Sequence, residues 1–115
     1  MKVDPNWIIT AEQLQKQIDD VILVDVRQPS EFELSHIAGC KLIPLDQIPT
    51  RAEAELNPQD DIVLYCGIGV RSLQALLMLK SLGFEKLRSL DGGITAWKEF
   101  KTKNKLPDGT PKATH

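Results

Sequence analysis

Residues 62–72 read Ile-Val-Leu-Tyr-Cys-Gly-Ile-Gly-Val-Arg-Ser, and they predict a strand that runs through a short loop into a helix. The first four residues, Ile62–Tyr65, are an uninterrupted apolar run, which is typical of a strand buried on both faces. Cys66 follows that strand, residues 67–70 form the loop, and a helix is predicted from Arg71 to about residue 82. Because Gly83 comes next, the helix is expected to end there.

The rest of the chain repeats this alternation of strands and helices. Further strands are predicted at residues 21–26, 41–45 and 86–90, and helices at residues 11–18, 29–34, 48–56 and 93–100. Thr10 and Gln13 have the spacing of a capping box at the start of the first helix, and Ile9 and Leu14 have that of a hydrophobic staple. The helix after Cys66 is apolar almost all round, which predicts a buried helix. Buried strands that alternate with helices predict an α/β fold, a parallel sheet with helices on both faces.

The composition is that of one ordinary globular domain. The chain has 115 residues, of which 42% are hydrophobic and 26% are charged, and its formal net charge is -2. That charge gives no electrostatic reason to expect nucleic acid or an anionic membrane as a partner. With 5% aromatic residues, the chain also lacks a stacking platform for single-stranded nucleic acid. We expect an N-terminal segment at residues 1–7, the domain at residues 8–100 and a flexible tail at residues 101–115.

Neither a membrane span nor a metal site is expected. No stretch has the roughly 20 consecutive apolar residues of a span, and no apolar run of signal-peptide length follows the N-terminus, so a cytoplasmic protein is expected. The chain has two cysteines, Cys40 and Cys66, and two histidines, His36 and His115. Two cysteines are too few for a disulfide scaffold, and their spacing matches no zinc motif.

The loop after Cys66 has the properties of an anion-binding loop that stabilises a thiolate. Gly67 and Gly69 permit backbone angles that other residues resist, so the loop amides can turn inward, and the helix that follows adds the positive end of its dipole. A free cysteine with a pKa of about 8.5 is only about 3% ionised at pH 7, whereas the field of such a loop favours the thiolate. Arg71 adds a positive charge that does not titrate away.

This loop resembles the active loop of single-domain rhodaneses, a family of sulfurtransferases. Their motif is a cysteine followed by a glycine and an arginine, at the positions of Cys66, Gly69 and Arg71 in this chain. Other marks of the family occur in its order: Asp25-Val26-Arg27, Glu31-Phe32, His36-Ile37-Ala38-Gly39, Asp91-Gly92-Gly93 and Trp97. The resemblance covers about residues 8–100, and it implies a rhodanese-like sheet of about five strands.

The resemblance implies a double displacement. The thiolate of Cys66 would attack the outer sulfur of a donor such as thiosulfate and become a persulfide, and an acceptor such as cyanide or a thiol would then remove that sulfur. The loop amides would hold the negative charge on the terminal sulfur, which makes Gly67, Ile68, Gly69, Val70 and Arg71 the expected binding residues. Arg71 is expected to orient the loop or the incoming anion. No cofactor is required, and we expect a monomer.

Two features of the loop refine this expectation. Four residues separate Cys66 from Arg71, one fewer than in cysteine-dependent phosphatases, so the loop suits a single sulfur atom better than a phosphate. Gly67, Ile68 and Val70 carry no charge, whereas active thiosulfate enzymes often have basic residues there. We therefore predict that thiosulfate binds weakly and that a persulfide on a protein, or another donor of low charge, is the better sulfur source.

Several residues have a structural and a functional interpretation. Cys40 either packs in the core or acts as a resolving thiol that forms a disulfide with oxidised Cys66. His36 is interpreted as structural rather than as a general base. Asp25 and Arg27 are expected to form a buried or half-buried polar network that supports the loops, and in the alternative Arg27 reaches the substrate. Trp97 is expected to lie in the core, on the same helical face as Ile94.

Three other functions remain as alternatives to a free sulfurtransferase. The chain acts as a sulfur-carrier or interaction module if it accepts sulfur from a protein donor and shows little activity with free thiosulfate. Cys66 is compatible with both functions. A cysteine phosphatase is disfavoured by the loop length. A catalytically silent regulatory domain is disfavoured by Cys66 itself, which silent relatives tend to lack.

Overall fold

Five parallel strands form the sheet at the centre of the molecule. The computed structural model describes residues 3–106. In chain order the strands are β1 (Ile8–Ile9), β2 (Ile22–Asp25), β3 (Lys41–Leu42), β4 (Ile62–Tyr65) and β5 (Leu87–Leu90). Their order in the sheet is β1-β5-β4-β2-β3, and all neighbours pair in parallel. The predicted α/β fold with a parallel sheet of about five strands is confirmed.

Helices cover both faces of this sheet. They are α1 (Ala11–Gln17), α2 (Pro29–Leu34), α3 (Ile48–Glu55), α4 (Val70–Ser81) and α5 (Gly93–Lys103), with 3-10 turns at Pro5–Trp7 and Leu45–Gln47. On one face, residues of α3 and α4 form a core cluster that includes Cys66. On the other face, residues of α1 and α5 form a second cluster that includes Tyr65 and Trp97. Tyr65 and Cys66 therefore point to opposite faces, as successive residues of a strand do.

β4 lies in the middle of the sheet because all four of its residues are apolar. Each is fully buried, and the strand pairs with β2 on one side and β5 on the other. Leu64 lies level with Val24 of β2 and with Ser89 of β5. After β2, the chain places β3 on one side of β2, and it then returns to place β4 on the other side. The carboxyl ends of β2 and β4 therefore flank a topological switch point, where parallel sheets place their ligands.

The predicted signals at the start of α1 are confirmed. The Thr10 hydroxyl accepts a hydrogen bond from the Gln13 amide at 3.1 Å, and the Gln13 side chain accepts one from the Thr10 amide at 2.9 Å. Ile9 and Leu14, the two residues of the expected staple, are both fully buried in the cluster that includes Trp97. This capping satisfies amides that the first turn of a helix otherwise leaves without partners.

Helix α4 differs from its prediction as a helix buried all round. It buries Ser72, Ala75, Leu76 and Leu79, whereas Leu73, Leu77 and Met78 are only half-buried. The physical reason is that α4 lies in the outer layer of the fold, where it packs on the sheet and beside α3, so its side away from the sheet is left partly exposed. The half-buried Leu77 and Met78 pack against the edge of the core cluster and line a surface groove.

Two element boundaries differ from the sequence prediction by about three residues, and the others agree to within one residue. Strand β3 ends at Leu42, because the backbone turns at Pro44 into a 3-10 turn. Helix α5 continues to Lys103, past the predicted end near Phe100. Lys101, which begins the predicted tail, is buried because its ammonium group lies over the Trp97 ring and bonds to Gln15. Residues 107–115 of that tail lie outside the described residues.

No helix within residues 3–106 is long and apolar enough to span a membrane.

Candidate active site

The sulfur of Cys66 lies where β4 ends and α4 begins. Cys66 is 1% exposed and follows the last residue of β4. Its Sγ accepts hydrogen bonds from the amide of Gly69 at 3.1 Å and from the amide of Ser72 at 3.3 Å. The loop directs one backbone amide at the sulfur, as the glycine pattern predicts, and the first turn of α4 directs a second one.

The sulfur of Cys66 takes the role that an N-cap side chain has at the start of other helices. The N-cap residue of α4 is Gly69, with φ +110, and a glycine has no side chain to accept a hydrogen bond from the first turn. Ser72 is the third residue of the helix, and its amide is one that an N-cap side chain usually satisfies. Cys66 Sγ takes that position, which puts a developing negative charge at the positive end of the helix dipole. A left-handed φ at position 69 also explains the glycine of the motif.

The environment lowers the pKa of the Cys66 thiol below its ordinary value. Burial of the sulfur acts in the opposite direction, because it disfavours the charged form. The hydrogen bonds from the Ser72 hydroxyl and from the amides of Ser72, Gly69 and Arg71 together outweigh burial. Cys66 thus combines a thiolate-stabilising site with removal from bulk water, which favours nucleophilic attack by the sulfur.

The Ser72 hydroxyl belongs to this site, although we assigned it no role from sequence. Its Oγ lies 3.5 Å from Cys66 Sγ, and Ser72 is fully buried. A thiol donates to that oxygen, whereas a thiolate accepts from the Ser72 hydroxyl. The available signal was position, because the third residue of a helix lies next to the group that takes the N-cap position.

The start of α5 holds the other side of the loop. The amide of Ile94 donates to the carbonyl of Cys66 at 2.9 Å, and the amide of Thr95 donates to the carbonyl of Gly67 at 3.3 Å. A Cβ at Gly93 would lie within 2.4 Å of both carbonyl oxygens, so only glycine permits this approach. The Gly92-Gly93 pair of the family pattern thus has a physical role in positioning the loop.

Arg71 forms an ion pair with Glu31 of α2. Its two terminal guanidinium nitrogens donate to the two carboxylate oxygens at 2.8 and 3.0 Å. The guanidinium lowers the pKa of Glu31 to about 2, and Glu31 raises that of Arg71. The expectation that Arg71 orients the loop is compatible with this tie to α2. Its positive charge, however, is compensated by a carboxylate instead of being free for an anion.

The remaining loop residues present an uncharged surface. Ile68 is 70% exposed and Val70 is 59% exposed, which is unusual for large apolar side chains. Arg71 also lines a groove of about 580 Å³, together with residues that include Leu45, Leu77 and Met78. Gly67 faces Arg71, because a Cβ there would lie 3.4 Å from the guanidinium.

Asp25 and Arg27 form the buried polar network that was expected. Arg27 donates to both carboxylate oxygens of Asp25, at 2.9 Å and 2.7 Å, and to the Ser35 carbonyl at 2.7 Å. The Arg27 guanidinium is engaged, nearly fully buried and placed over the Tyr65 ring, which favours the supporting role over the alternative in which Arg27 reaches the substrate. Tyr65 belongs to the face opposite Cys66.

Cys40 is separated from Cys66 by the sheet. It packs with Tyr65 on the α1 and α5 face, where its Sγ lies 3.4 Å from the Tyr65 hydroxyl. It directly precedes β3, which lies two strands from β4, or about 10 Å. A disulfide needs Cα atoms within about 7 Å, so the resolving-thiol interpretation is wrong and the packing interpretation is confirmed. Burial raises the pKa of Cys40 to about 11.

His36 and Trp97 have the structural roles that were expected. His36 Nδ1 lies 2.9 Å from the Phe32 carbonyl, and its ring stacks on Phe32 with centroids 3.7 Å apart. Trp97 is fully buried and Ile94 nearly so, both in the α1 and α5 cluster. Within residues 3–106, no group of three or more His, Cys, Asp or Glu side chains is arranged to hold a metal ion.

Comparisons with known proteins agree with the fold. The Rhodanese-like domain family matches residues 10–100. A protein of Allochromatium vinosum named Sulfurtransferase is 35% identical over 104 residues, which are 88% of this chain and 96% of that protein. The crystal structure of a rhodanese-related protein from Thermoplasma volcanium superposes with a TM-score of 0.75 at 28% identity, covering 86% of this chain and 93% of that one.

A longer relative shows that the domain also occurs within larger proteins. The Probable adenylyltransferase/sulfurtransferase MoeZ of Mycobacterium tuberculosis is 42% identical over 93 residues, which are 77% of this chain. The match covers 24% of MoeZ, so this chain spans about a quarter of that relative's length. The fold, the family match over residues 10–100 and the relatives named as sulfurtransferases agree, and the chain belongs to the Rhodanese-like domain family.

Proposed function

We propose that this chain transfers sulfane sulfur through a persulfide on Cys66. The observation that carries the proposal is the pair of amides, from Gly69 and Ser72, that donate to Cys66 Sγ. They stabilise the thiolate before reaction. They stabilise it again when sulfur leaves Cys66, because the electron pair then returns to Sγ.

In the first step, the Cys66 thiolate attacks the outer sulfur of the donor. A bond forms between Sγ and that sulfur, and the bond from the outer sulfur to the rest of the donor breaks. Its electron pair leaves with the donor, as sulfite when the donor is thiosulfate. The negative charge then lies on the terminal sulfur of the Cys66 persulfide. We propose that the amides of residues 67–71 (Gly67, Ile68, Gly69, Val70 and Arg71) hold this charge.

In the second step, a nucleophilic acceptor such as cyanide or a thiolate attacks the terminal sulfur. The bond between the two sulfurs breaks, and its electron pair returns to Cys66 Sγ. No proton has to move at Cys66 in either step, because both begin and end with an anionic sulfur species. This is consistent with the engagement of His36, which follows α2, by the carbonyl of Phe32 in that helix.

The charges around the loop favour a donor of low charge. Thiosulfate is a dianion, and Arg71 is the one charged side chain within residues 66–72. Glu31 compensates that charge through two short hydrogen bonds. We therefore propose that free thiosulfate is a weak donor and that a persulfide, carried by a small thiol or by a protein cysteine, is the better one.

A sulfur-carrier module is the second candidate, and the exposed apolar loop favours it. Ile68 and Val70 would lose contact with water if a protein donor docked over Cys66. In this function, the persulfide forms efficiently only from a protein donor. A steady-state assay with thiosulfate and cyanide, followed by the same assay with a low-molecular-weight persulfide, separates the two. Turnover by the wild type with either donor, absent in Cys66→Ser, supports the free enzyme. No turnover with either donor, together with sulfur loading from a protein persulfide, supports the carrier.

A further inference from the structure

A second buried hydroxyl stands behind Ser72. Ser89 of β5 is 1% exposed, and its Oγ lies 2.7 Å from Ser72 Oγ. Ser72 Oγ in turn lies 3.5 Å from Cys66 Sγ. The three side chains form a row that crosses from β5 to α4 and back to the end of β4. The row is possible because Ser89 is level with Leu64 of β4 and points toward the α4 face of the sheet.

The direction of the hydroxyl protons along this row depends on the charge of Cys66. Each serine has one hydroxyl proton and can also accept. When Cys66 is a thiol, its proton points to Ser72, and Ser72 donates to Ser89. When Cys66 is a thiolate, Ser72 donates to the sulfur, and its oxygen is free to accept from Ser89. Within residues 3–106, Cys66 and Ser89 are the side chains that bond to the Ser72 hydroxyl.

From this geometry we propose that Ser89 is a positioning residue, which acts through Ser72 to favour the thiolate of Cys66. By donating to Ser72 Oγ, Ser89 directs the Ser72 proton toward the sulfur and polarises that hydroxyl. The same arrangement stabilises Sγ when it becomes the leaving group in the second transfer step. The stabilisation of the Cys66 thiolate by Ser89 does not depend on any sulfur-transfer activity. The stabilisation of Sγ as a leaving group, in contrast, rests on the proposed function.

The direct test is the pKa of Cys66, measured by ultraviolet thiolate absorbance in a Cys40→Ser background. Ser72→Ala is expected to raise the pKa by about one pH unit, because a hydrogen bond to a charged group is lost. Ser89→Ala is expected to raise it by a few tenths of a pH unit. The double variant is expected to match Ser72→Ala alone, because Ser89 acts through Ser72. An unchanged or lowered pKa in Ser89→Ala, or a double variant with additive effects, would overturn the proposal.

Two controls separate this role from a general effect on packing. Ser81 lies in α4, the helix that carries Ser72, and its exposed hydroxyl donates to the Met78 carbonyl. Ser81→Ala removes that hydroxyl and is expected to leave the Cys66 pKa unchanged. Ser89→Thr and Ser89→Val have nearly the same shape and differ in the hydroxyl. Thr is expected to keep the wild-type pKa and Val to raise it, and equal values for the two would contradict the proposal even if Ser89→Ala fails to fold.

A kinetic measurement adds a readout that a purely structural role would not move. At a pH below the Cys66 pKa, persulfide formation in Ser89→Ala is expected to slow by about twofold, in proportion to the lost thiolate. Well above that pKa, the rate is expected to return to that of the wild type. A loss that is equal at every pH would contradict the proposal. If no donor loads Cys66 at all, the proposed function fails, but the pKa measurements still decide the role of Ser89.

Discussion

The amide of Ile94 donates a 2.9 Å hydrogen bond to the carbonyl of Cys66, so the start of α5 holds the peptide that carries the proposed nucleophile. The sulfur of the same residue accepts from the first turn of α4. Two helix N-termini from opposite faces of the sheet therefore fix Cys66, one through its side chain and the other through its backbone. The orientation of the loop amides depends on both helices, although the two helices are far apart in sequence.

Gly93→Ala is expected to displace the active loop. The new Cβ would lie within 2.4 Å of the carbonyl oxygens of Cys66 and Gly67, and φ at this position is +62. Gly83→Ala is the matched control, because Gly83 has φ +97 with nothing within 4 Å of its Cβ. The control is expected to lose about 1–2 kcal/mol from the left-handed backbone alone. Gly93→Ala is expected to lose more, about 3 kcal/mol or above, and also to slow persulfide formation. Urea unfolding of both variants checks this, and equal losses would contradict it.

The two thiols are expected to titrate in opposite directions from an ordinary cysteine. Amide and hydroxyl donors lower the pKa of Cys66, while burial raises that of Cys40 to about 11. A free cysteine has a pKa of about 8.5. Because the pKa of Cys66 is lowered, its thiolate population is expected to reach its plateau at a lower pH than that of a free cysteine. The rate of persulfide formation is expected to follow the thiolate population. Thiolate absorbance of Cys40→Ser and Cys66→Ser reports each sulfur separately. If Cys40 ionised before Cys66, the assignment of the nucleophile would fail.

Glu31→Gln is expected to improve thiosulfate as a donor. The substitution removes the carboxylate that compensates Arg71, so the dianion would meet a free guanidinium. The KM for thiosulfate is expected to fall by about threefold or more and to become sensitive to ionic strength, because the interaction gained is partly exposed. The KM for a low-charge persulfide is expected to change little.

Glu33→Gln provides the matched control for this change. It removes the same charge from the same helix, at an exposed residue for which no hydrogen bond to Arg71 is found. We expect its KM for thiosulfate to stay at the wild-type value. Equal responses of Glu31→Gln and Glu33→Gln would show that net charge, and not the pairing of Arg71, sets the preference for the donor.

Local signals explain why much of the fold was predictable from sequence. The buried run Ile62–Tyr65, the capping box of Thr10 and the glycine after α4 each depend on residues close together in the chain. Cys66 and its two amide donors were also within reach of prediction, because a strand, a glycine loop and a helix follow one another without interruption. Helix α4 was misjudged because apolar composition does not show which face a neighbouring layer covers.

Contacts between distant parts of the chain explain what the sequence did not reveal. Glu31 and Arg71 are 40 residues apart, and Ser72 and Ser89 are 17 apart, so neither pairing follows from a local pattern. Cys40 was left with two interpretations because its distance and face relative to Cys66 depend on the order of the strands. That order places Cys40 with Tyr65 on the face opposite Cys66, and it removes the interpretation of Cys40 as a resolving thiol.

The most direct test of the account is the intact mass of the protein after incubation with a sulfur donor. Wild type and Cys66→Ser would each be treated with thiosulfate, with a low-molecular-weight persulfide and with a protein persulfide, and desalted before measurement. We predict that the wild type gains the mass of one sulfur atom, more completely from the persulfides than from thiosulfate, and that Cys66→Ser gains none. Absence of any gain in the wild type with all three donors, or an equal gain in Cys66→Ser, would contradict sulfur transfer through Cys66.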